Sequence, residues 1–491
     1  MVADALGMIE SQYIDPIDSR KLLTSALAGM TDSLDPYSEF VEVERYERLQ
    51  TDMDQEFVGV GIIIEKPDEV SPVRVVTPIV GSPALRAGMR AGDEFMEIDG
   101  EPVAAEDVTQ VSARLKGPIG SPVRVRIRRG DQSVDLSIVR GMIEVESVVG
   151  DYRGPDDQWV YRLKDDPSIA YARLTTFGAK TPEELRDVVG RLVEQASDGR
   201  PVAAFVLDLR SNGGGLLETA VSVSDLFLSG GEVVKTVIRG GVVEQRFLAG
   251  PKTLLPPTVP MAVLIDGNSA SASEIVAAAL QDRGRAIVVG ERSFGKGTVQ
   301  KVLPLETGRS ALKLTVARYV RPSGANIHRI EDADETEVWG VSPSDGGEVG
   351  MSSDQWIRLV NHWRRQTLPA SSRDSADAIA IVTVDPIDDT PEPTSEADRD
   401  PNSESKPPKN PKAFSKKSGD NAFKIVDPSS DVTETDSSED DLSVDDLSDV
   451  DPTNGEPGGV LDPVLERAIE LLRQTESNSG DGGATLRGTA A

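Results

Sequence analysis

The chain contains no cysteine and only two histidines among its 491 residues. The lack of cysteine excludes a thiol nucleophile. A Ser-His-Asp arrangement would have to use His328 or His362, and neither lies in a recognisable motif. The apolar spacing around His362 predicts one face of a short helix. We therefore expect both histidines to be structural.

Long apolar runs are also missing. No stretch approaches the ~18 apolar residues of a membrane span, so we expect no span. Residues 1–10 have neither the basic region nor the apolar core of a signal peptide. As the chain begins here, nothing in it is expected to export or anchor it.

Basic residues are scarce in one long stretch. Residues 371–460 hold 23 acidic against 8 basic residues, and no basic residue occurs between Ile425 and Gly455. Such a segment cannot bury enough apolar surface to offset its ordering entropy. We predict a disordered acidic linker over residues 366–460, solvated rather than docked onto a partner. The acidity favours solubility and argues against nucleic-acid binding.

Beyond this linker, a helical apolar pattern returns. Residues 461–476 predict a short amphipathic helix with Pro463 in its first turn, and this helix could dock onto the core. A disordered tail over residues 477–491 would follow. The apolar positions of the helix are Leu461, Val464, Leu465, Ile469 and Leu472.

The first 140 residues divide into two regions with different sequence patterns. Residues 1–56 have helical periodicity, whereas residues 57–140 contain short β-rich runs separated by glycine and proline. Glu56-Phe-Val-Gly-Val-Gly-Ile-Ile-Ile64 resembles the carboxylate-binding loop and strand of a PDZ domain. Gly81-Ser-Pro-Ala-Leu-Arg-Ala-Gly-Met-Arg-Ala-Gly-Asp-Glu-Phe-Met-Glu-Ile-Asp-Gly100 resembles the central PDZ signature.

The physical chemistry of this loop suits the resemblance. Successive backbone amides of Gly59, Val60 and Gly61 can hold a terminal carboxylate while a bound peptide adds as an extra strand. Taken alone, the glycines would equally fit a tight turn. The helix expected over residues 106–116 would line a side-chain pocket. Its candidate lining residues are Val108, Val111 and Leu115.

After residue 140 the pattern changes to alternating strand, turn and helix. Residues 202–210 are typical of a buried strand and lead into the glycine run Gly213 to Gly215. Residues 261–266 and 286–290 are two further strand-like runs, and each leads into a motif rich in Ser, Gly or Lys. Folds of this type place catalytic residues at the carboxyl ends of strands.

The first of these motifs is Asn268-Ser-Ala-Ser-Ala-Ser-Glu-Ile275. Ser271 can be interpreted as a structural helix cap, because Ser271-Ala-Ser-Glu274 is a capping box. It can also be a nucleophile, because a helix N-terminus offers amide donors and a positive dipole end to a developing oxyanion. Ser269 and Ser273 are competitors that the spacing does not eliminate.

The second motif, Ser293-Phe-Gly-Lys-Gly-Thr-Val-Gln300, contains Lys296. A lysine can act as a base only when it is neutral, so we expect Lys296 in a dry site where burial lowers its pKa. The stretch from Gly290 to Lys296 also fits a phosphate-binding loop. That alternative fails because Gly297 stands where the loop requires Ser or Thr, and a strand rather than a helix follows.

Two further features could complete such a site. Gln300, four residues after Lys296, would share its face along a strand and could hold the lysine amine by a hydrogen bond. A solvent-facing strand glutamine is the alternative. The glycine run Gly213 to Gly215 would bring a backbone amide close to a substrate carbonyl, although a plain strand-to-helix turn would also favour glycine.

Four motifs, taken in their order along the chain, point to one protein family. Asp208-Leu-Arg-Ser-Asn-Gly-Gly-Gly-Leu-Leu217, the serine motif, Gln281-Asp-Arg-Gly-Arg-Ala286 and the lysine motif together resemble the carboxyl-terminal processing peptidases, or tail-specific proteases. The resemblance spans roughly residues 1–345 and includes the PDZ-like region. It implies a serine endopeptidase that recognises protein C-termini and cleaves by acyl transfer.

The resemblance also implies roles for particular residues. Ser271 would be the nucleophile, Lys296 the general base and Gln300 the partner that orients the lysine. The oxyanion donors would be the amides of Gly215 and Ala272. Many members of the family have proline at the position of Gly213, so we expect a looser turn here that keeps its donor.

For the whole chain, the resemblance implies a crotonase-like α/β core at residues 141–365 with an inserted PDZ domain at residues 57–140 and no metal or cofactor. Family members are usually extracytoplasmic, as in a bacterial periplasm or cell envelope. The missing signal peptide conflicts with that location and suggests an incomplete N-terminus, with cytoplasmic residence as the alternative. The oligomeric state stays open, with a homodimer as one option.

Two hypotheses of different classes follow. The first is an endopeptidase whose substrates are proteins or peptides with free apolar C-termini. The second is a catalytically idle PDZ scaffold that only captures such tails. Ser271, Lys296 and Gln300 occur together at coherent spacing, and their joint presence favours the enzyme.

Overall fold

The computed structural model describes residues 2–369 and 462–479, apart from residues 44, 47, 48, 50–52, 54, 69, 198, 306–308, 331, 332, 334 and 335. The predicted acidic linker from residue 370 onwards lies outside the described residues. So do Leu461 and the predicted tail from residue 480 onwards. No helix in the described ranges is both long enough and apolar enough to cross a bilayer.

The N-terminal region contains helices α1 (Val2–Gln12) and α2 (Ser19–Asp32). Helix α2 begins after Asp18, whose carboxylate accepts hydrogen bonds from the amides of Arg20 and Lys21. The prediction that residues 1–56 are helical, with turns at Asp15-Pro16 and Asp35-Pro36, is wrong at strand β1 (Glu39–Val41), which pairs with a distant strand of the core. Tertiary pairing overrides the local helical pattern there.

The region predicted to be a PDZ domain, called the PDZ unit below, is a six-stranded antiparallel sheet with its own apolar core. Its strand order is β3-β4-β5-β7-β8, with β6 paired to β5, and strands β2 and β9 join it to the rest of the chain. The core includes Val75, Phe95 and Ile127, each at most 1% exposed. The elements are β2 (Glu56–Gly59), β3 (Ile62–Glu65), β4 (Arg74–Pro78), α3 (Pro83–Arg86), β5 (Glu94–Ile98), β6 (Glu101–Pro102), α4 (Val108–Leu115), β7 (Pro122–Arg129), β8 (Gln132–Val139) and β9 (Gly141–Glu144).

A second sheet, largely parallel, forms the centre of the core in the order β10-β13-β14-β17-β18. Strands β13, β14 and β17 are buried at every position, because helices cover both of their faces. Helices α5, α6 and α7 lie on one face. The elements are β10 (Val148–Val149), β13 (Ile169–Leu174), α5 (Thr181–Ser197), β14 (Ala204–Asp208), α6 (Leu217–Asp225), β17 (Met261–Ile265), α7 (Ala272–Asp282) and β18 (Ile287–Gly290).

An antiparallel sheet packs beside it, with the order β1-β20-β15-β16 and β19 also paired to β20. Strand β19 begins two residues after Lys296, so this sheet holds the C-terminal part of the lysine motif. The remaining elements are β11 (Tyr152–Arg153), β12 (Trp159–Val160), β15 (Gly231–Ile238), β16 (Val242–Ala249), β19 (Thr298–Leu305), β20 (Ser310–Val320) and α8 (Ser353–Thr367). Helix α8 extends two residues into the stretch predicted as linker.

The C-terminal amphipathic helix is present as α9 (Pro463–Ser479). It extends three residues into the predicted disordered tail. Val464, Ala468 and Leu472 are buried against the face of the parallel sheet opposite to α7, where they contact residues of β13, β14, β17 and β18. The apolar stripe therefore docks onto the core.

Candidate active site

Ser271 lies at the N-terminus of α7, just beyond the carboxyl end of β17. Its backbone has φ 58° and ψ −111°, a conformation that L residues rarely adopt. The residue is 8% exposed. Ser271 takes part in the predicted capping box, since its amide donates to the Glu274 carboxylate, and strained backbone of this kind clusters at functional sites.

The two neighbouring serines are occupied by buried hydrogen bonds. The Ser269 hydroxyl donates to the carbonyl of Leu209 at 2.8 Å, and the Ser273 hydroxyl donates to the carbonyl of Asn212 at 2.8 Å. Both side chains are fully buried. They hold the loop after β14 against the start of α7, so of the three serines only Ser271 is partly accessible.

The loop after β14 forms a glycine turn, defined here as residues 211–215. The amide of Gly214 donates to Asn212 Oδ1 at 2.9 Å. A Cβ on Gly214 would lie 2.7 Å from the carbonyl oxygen of Ala270 and 2.8 Å from the amide nitrogen of Ala272. Only glycine therefore allows the turn to approach the helix start so closely.

The amides of Gly215 and Ala272, like that of Gly213 in the same turn, donate to no other described residue. Gly215 is exposed, whereas Ala272 is buried and follows Ser271 directly. Because buried amides are normally paired, two unpaired donors beside a serine hydroxyl form a ready place for a negatively charged oxygen.

Glu274 joins the serine and lysine motifs. Its Oε2 accepts from the amides of Ser271 and Lys296, each at 2.8 Å, and its Oε1 accepts from the amide of Gly295 at 2.7 Å and the hydroxyl of Ser293 at 2.6 Å. The carboxyl is fully buried, and burial raises its pKa to about 7 although the hydrogen bonds lower it. The sequence indicated only that Glu274 belongs to the capping box at the start of α7, and not that it also binds the lysine motif.

Lys296 is half-buried rather than in the fully dry site that we predicted. Its Nζ lies 5.1 Å from the centroid of the Tyr37 ring, within the range of a cation–π contact. Tyr37 comes from the N-terminal region, where the Asp35 carboxylate accepts from the Tyr37 amide at 2.9 Å. Sequence reasoning missed this contribution, because no local motif marks it.

Gln300 lies in β19, and its side-chain amide donates to the hydroxyls of Thr298 at 2.8 Å and Thr315 at 3.2 Å. Strand β19 begins only at Thr298, so Lys296 lies before it and strand alternation does not apply to that lysine. That Lys296 and Gln300 share a face therefore stays a prediction.

Tyr319 is a second residue that the sequence did not single out. Its buried side chain lies beside Ser271, and burial raises the pKa of its phenol to about 12, so the phenol stays protonated near neutral pH. Its amide donates to the carbonyl of Gly297 at 2.8 Å. Strand β20 thus contacts both the serine and the lysine loop.

Two sequence-family models match the chain. The sequence model described as peptidase family S41 matches residues 168–338, and the model of the PDZ domain matches residues 74–129. A carboxy-terminal-processing protease of Bartonella bacilliformis is 38% identical over 330 residues, which cover 67% of this chain and 72% of that protein.

The chain belongs to peptidase family S41. A second relative, the carboxy-terminal processing protease CtpA of Bacillus subtilis, is 34% identical over 328 residues, which cover 66% of each protein. Among solved structures, a photosystem II D1 C-terminal processing protease aligns with 28% identity and a TM-score of 0.40, over 76% of this chain and 97% of that one.

In this S41 peptidase the two histidines lie in different places. The backbone of His328 packs against Gly297, since a Cβ on Gly297 would lie 2.4 Å from the His328 amide nitrogen. His362 lies on α8, near Asp151. Burial lowers the pKa of both imidazoles, so both are largely neutral near pH 7.

The PDZ unit presents an open sheet edge at β3, the end strand of its sheet. Just before it, the amides of Val60 and Gly61 donate to no other described residue, whereas both carbonyls are hydrogen-bonded. Gly59 is the last residue of β2 and is paired with Gly141 of β9. The free amides of the loop therefore begin one residue after Gly59.

The three pocket candidates on α4 differ in burial. Val111 and Leu115 are buried in the PDZ core, and Val108 is half-exposed. Of the three side chains, that of Val108 is the one available to contact a bound peptide.

Proposed function

We propose that this peptidase is a serine endopeptidase that uses a Ser271–Lys296 dyad and selects substrates by their C-terminal tails. The observation that carries the proposal is the Glu274 carboxylate, which binds the backbone amides of both residues. One buried side chain thereby holds two motifs that are far apart in sequence at one site.

The reaction follows from this arrangement. The neutral amine of Lys296 takes the proton of Ser271 Oγ while the oxygen attacks the scissile carbonyl carbon. The oxyanion accepts hydrogen bonds from the amides of Gly215 and Ala272. The carbon–nitrogen bond then breaks, the lysine ammonium returns its proton to the leaving amine, and an acyl-enzyme ester remains.

A water molecule completes the cycle. It attacks the ester carbon while Lys296 takes its proton, and the proton passes to Ser271 Oγ as the peptide acid leaves. Gln300 would orient the lysine amine through its side-chain oxygen, since its nitrogen is already bonded to Thr298 and Thr315. Tyr319 would hold the Ser271 hydroxyl between turnovers.

Tail recognition would use the open edge of β3. A substrate C-terminus would add as a strand to this edge and place its carboxylate at the unpaired amides of Val60 and Gly61. Val108 would contact the terminal side chain. We also propose that the core is crotonase-like and that the protein is extracytoplasmic. Cell fractionation with an antibody against the chain tests the location.

The proposal is tested by incubating the full chain with unstructured proteins that end in apolar residues and identifying the products by mass spectrometry. Ser271→Ala should abolish cleavage and leave the circular dichroism spectrum unchanged. Ser222→Ala, on the neighbouring helix α6, is the matched control and should remain active. Tail binding without any cleavage by the unsubstituted chain would favour the idle scaffold instead.

A further inference from the structure

We propose that Asp462, at the start of α9, is a positioning residue for the glycine turn and acts through Arg210. The proposal rests on the function proposed above, because it concerns the turn that carries the Gly215 donor. It assigns to the C-terminal helix a role in the reaction besides covering the sheet.

The guanidinium of Arg210 is enclosed between two carboxylates. Its two terminal nitrogens donate to the two oxygens of Asp462, each at 2.8 Å, in a bidentate pair. Its Nε donates to both oxygens of Asp208 at 3.0 and 3.1 Å. The Arg210 side chain is 1% exposed, Asp208 is 0% exposed and Asp462 is 10% exposed.

The charge balance of this cluster depends on α9. A second buried guanidinium, that of Arg173, lies 4.1 Å from the ring centroid of Trp363, and the Arg210 guanidinium lies 5.3 Å from the same ring. These two cations face the carboxylates of Asp208 and Asp462, and Asp266 also lies near Arg210. Loss of Asp462 removes the carboxylate that forms the bidentate pair with Arg210, which weakens the compensation of two buried positive charges.

Arg210 is connected to the catalytic serine by a short path. The next residue, Ser211, has φ 55°, a strained value for a residue other than glycine, and its amide donates to Asp266. Asn212 then accepts from the amide of Gly214 through its side chain and from the amide of Ala270 through its carbonyl.

A strained turn keeps its shape only when its neighbours hold it at both ends. Asn212 holds the end near Ser271, whereas Asp266 holds the Ser211 amide and the bidentate pair holds Arg210 at the other end. Without the Asp462 pair, Arg210 would be held by Asp208 alone, which would let Ser211 relax and displace the Gly215 amide. Because oxyanion stabilisation depends on donor placement, the loss should appear in the chemical step and not in substrate binding.

Asp462 also caps α9, because its Oδ1 accepts from the amide of Leu465 at 3.0 Å. Asparagine caps a helix about as well as aspartate. Asp462→Asn therefore keeps the helix start and removes only the negative charge and one of the two acceptors for Arg210, which makes it the variant of choice.

The test measures kcat and KM of Asp462→Asn in the full chain on one tail-bearing peptide. We expect kcat to fall about tenfold, with KM changed less than about twofold. Inhibition by a peptide aldehyde, which forms a tetrahedral adduct, should weaken in proportion to kcat. Asp462→Glu, which keeps the negative charge, should recover most of the activity.

The matched control is Arg473→Gln, which breaks the exposed ion pair of α9 with Asp166 and should leave kcat unchanged. If Asp462→Asn does not fold, Arg210→Lys decides. It keeps the buried cation but loses the planar fork, and its kcat should also fall about tenfold. A folded variant with a lower Tm and unchanged kcat would overturn the proposal. If Ser271→Ala also cleaves, the proposed function itself fails.

Discussion

The PDZ unit and the peptidase site would receive parts of a peptide by the same means, unpaired backbone amides, but they are assembled differently. The PDZ unit is folded from the stretch between β2 and β9, with its own apolar core. The peptidase site combines Tyr37, Ser271 and Lys296 and, through Arg210, Asp462. Tail binding by the PDZ unit should therefore tolerate changes elsewhere in the chain. Cleavage at the peptidase site should respond to changes in several distant segments.

Of all the changes, Lys296→Arg should show the largest contrast between its effect on cleavage and its effect on tail binding. A guanidinium keeps the positive charge but does not lose its proton in proteins, so it cannot act as a base. Cleavage should be undetectable, while tail-peptide binding measured by fluorescence anisotropy stays unchanged. Lys301→Arg, in the exposed part of β19, is the control. An active Lys296→Arg enzyme would show that charge, and not basicity, is needed.

A matched pair of glycine substitutions sharpens the comparison. Gly214→Ala would place a Cβ 2.7 Å from the carbonyl oxygen of Ala270 at φ 100°, and Gly61→Ala would place one 2.4 Å from Ser82 Cβ at φ 77°. Gly214→Ala should lower kcat on the order of 10²-fold with tail binding intact. Gly61→Ala should weaken tail binding about tenfold, from strain of about 1–3 kcal/mol, and leave hydrolysis of a short tail-free ester unchanged.

The opposite pattern, with Gly61→Ala impairing ester hydrolysis as strongly as Gly214→Ala, would mean that the two regions act as one unit. Stopped-flow hydrolysis and anisotropy on the same preparations distinguish the cases.

Glu274→Gln tests how the peptidase site is held. The pKa of Glu274 is raised from 4.5 to about 7, so its stabilising contribution is complete below about pH 4.5 and is lost as the pH rises to about 7. The variant, neutral at every pH, should gain up to roughly 3 kcal/mol relative to the unsubstituted protein between these limits.

Because a glutamine nitrogen cannot accept from the amides of Ser271 and Lys296, kcat should also fall about tenfold in Glu274→Gln. Urea unfolding at pH 5 and pH 8 measures the stability difference, with Glu183→Gln on α5 as the exposed control. If the stability difference between Glu274→Gln and the unsubstituted protein is the same at pH 5 and pH 8, the raised pKa of Glu274 is not its cause.

The smallest effect is expected from amidating the substrate C-terminus. The amides of Val60 and Gly61 attract a carboxylate more strongly than a neutral amide, so KM should rise several-fold while kcat stays near its original value. Equal KM values for the free-acid and amidated peptides would remove the PDZ unit from substrate selection.

Local sequence patterns were informative where one segment forms its structure alone. The PDZ signature, the docking helix α9 and the start of α7 at the Ser-Ala-Ser-Glu box could be predicted because periodicity and capping depend on neighbours in the chain. The expected helix at Glu39–Val41 was wrong because pairing with β20 decides that segment. The shared face of Lys296 and Gln300 stays a prediction, because Lys296 lies before the first residue of β19 and strand alternation does not reach it.

The sequence by itself determined the family, the order of the motifs and the absence of a cysteine nucleophile, since these depend only on which residues occur and how they are spaced. Only the tertiary structure decided that Glu274 binds four donors, that Tyr319 contacts Ser271 and that Asp462 pairs with Arg210. These contacts join residues brought together by sheet packing, and burial then sets their pKa values and the cost of breaking them.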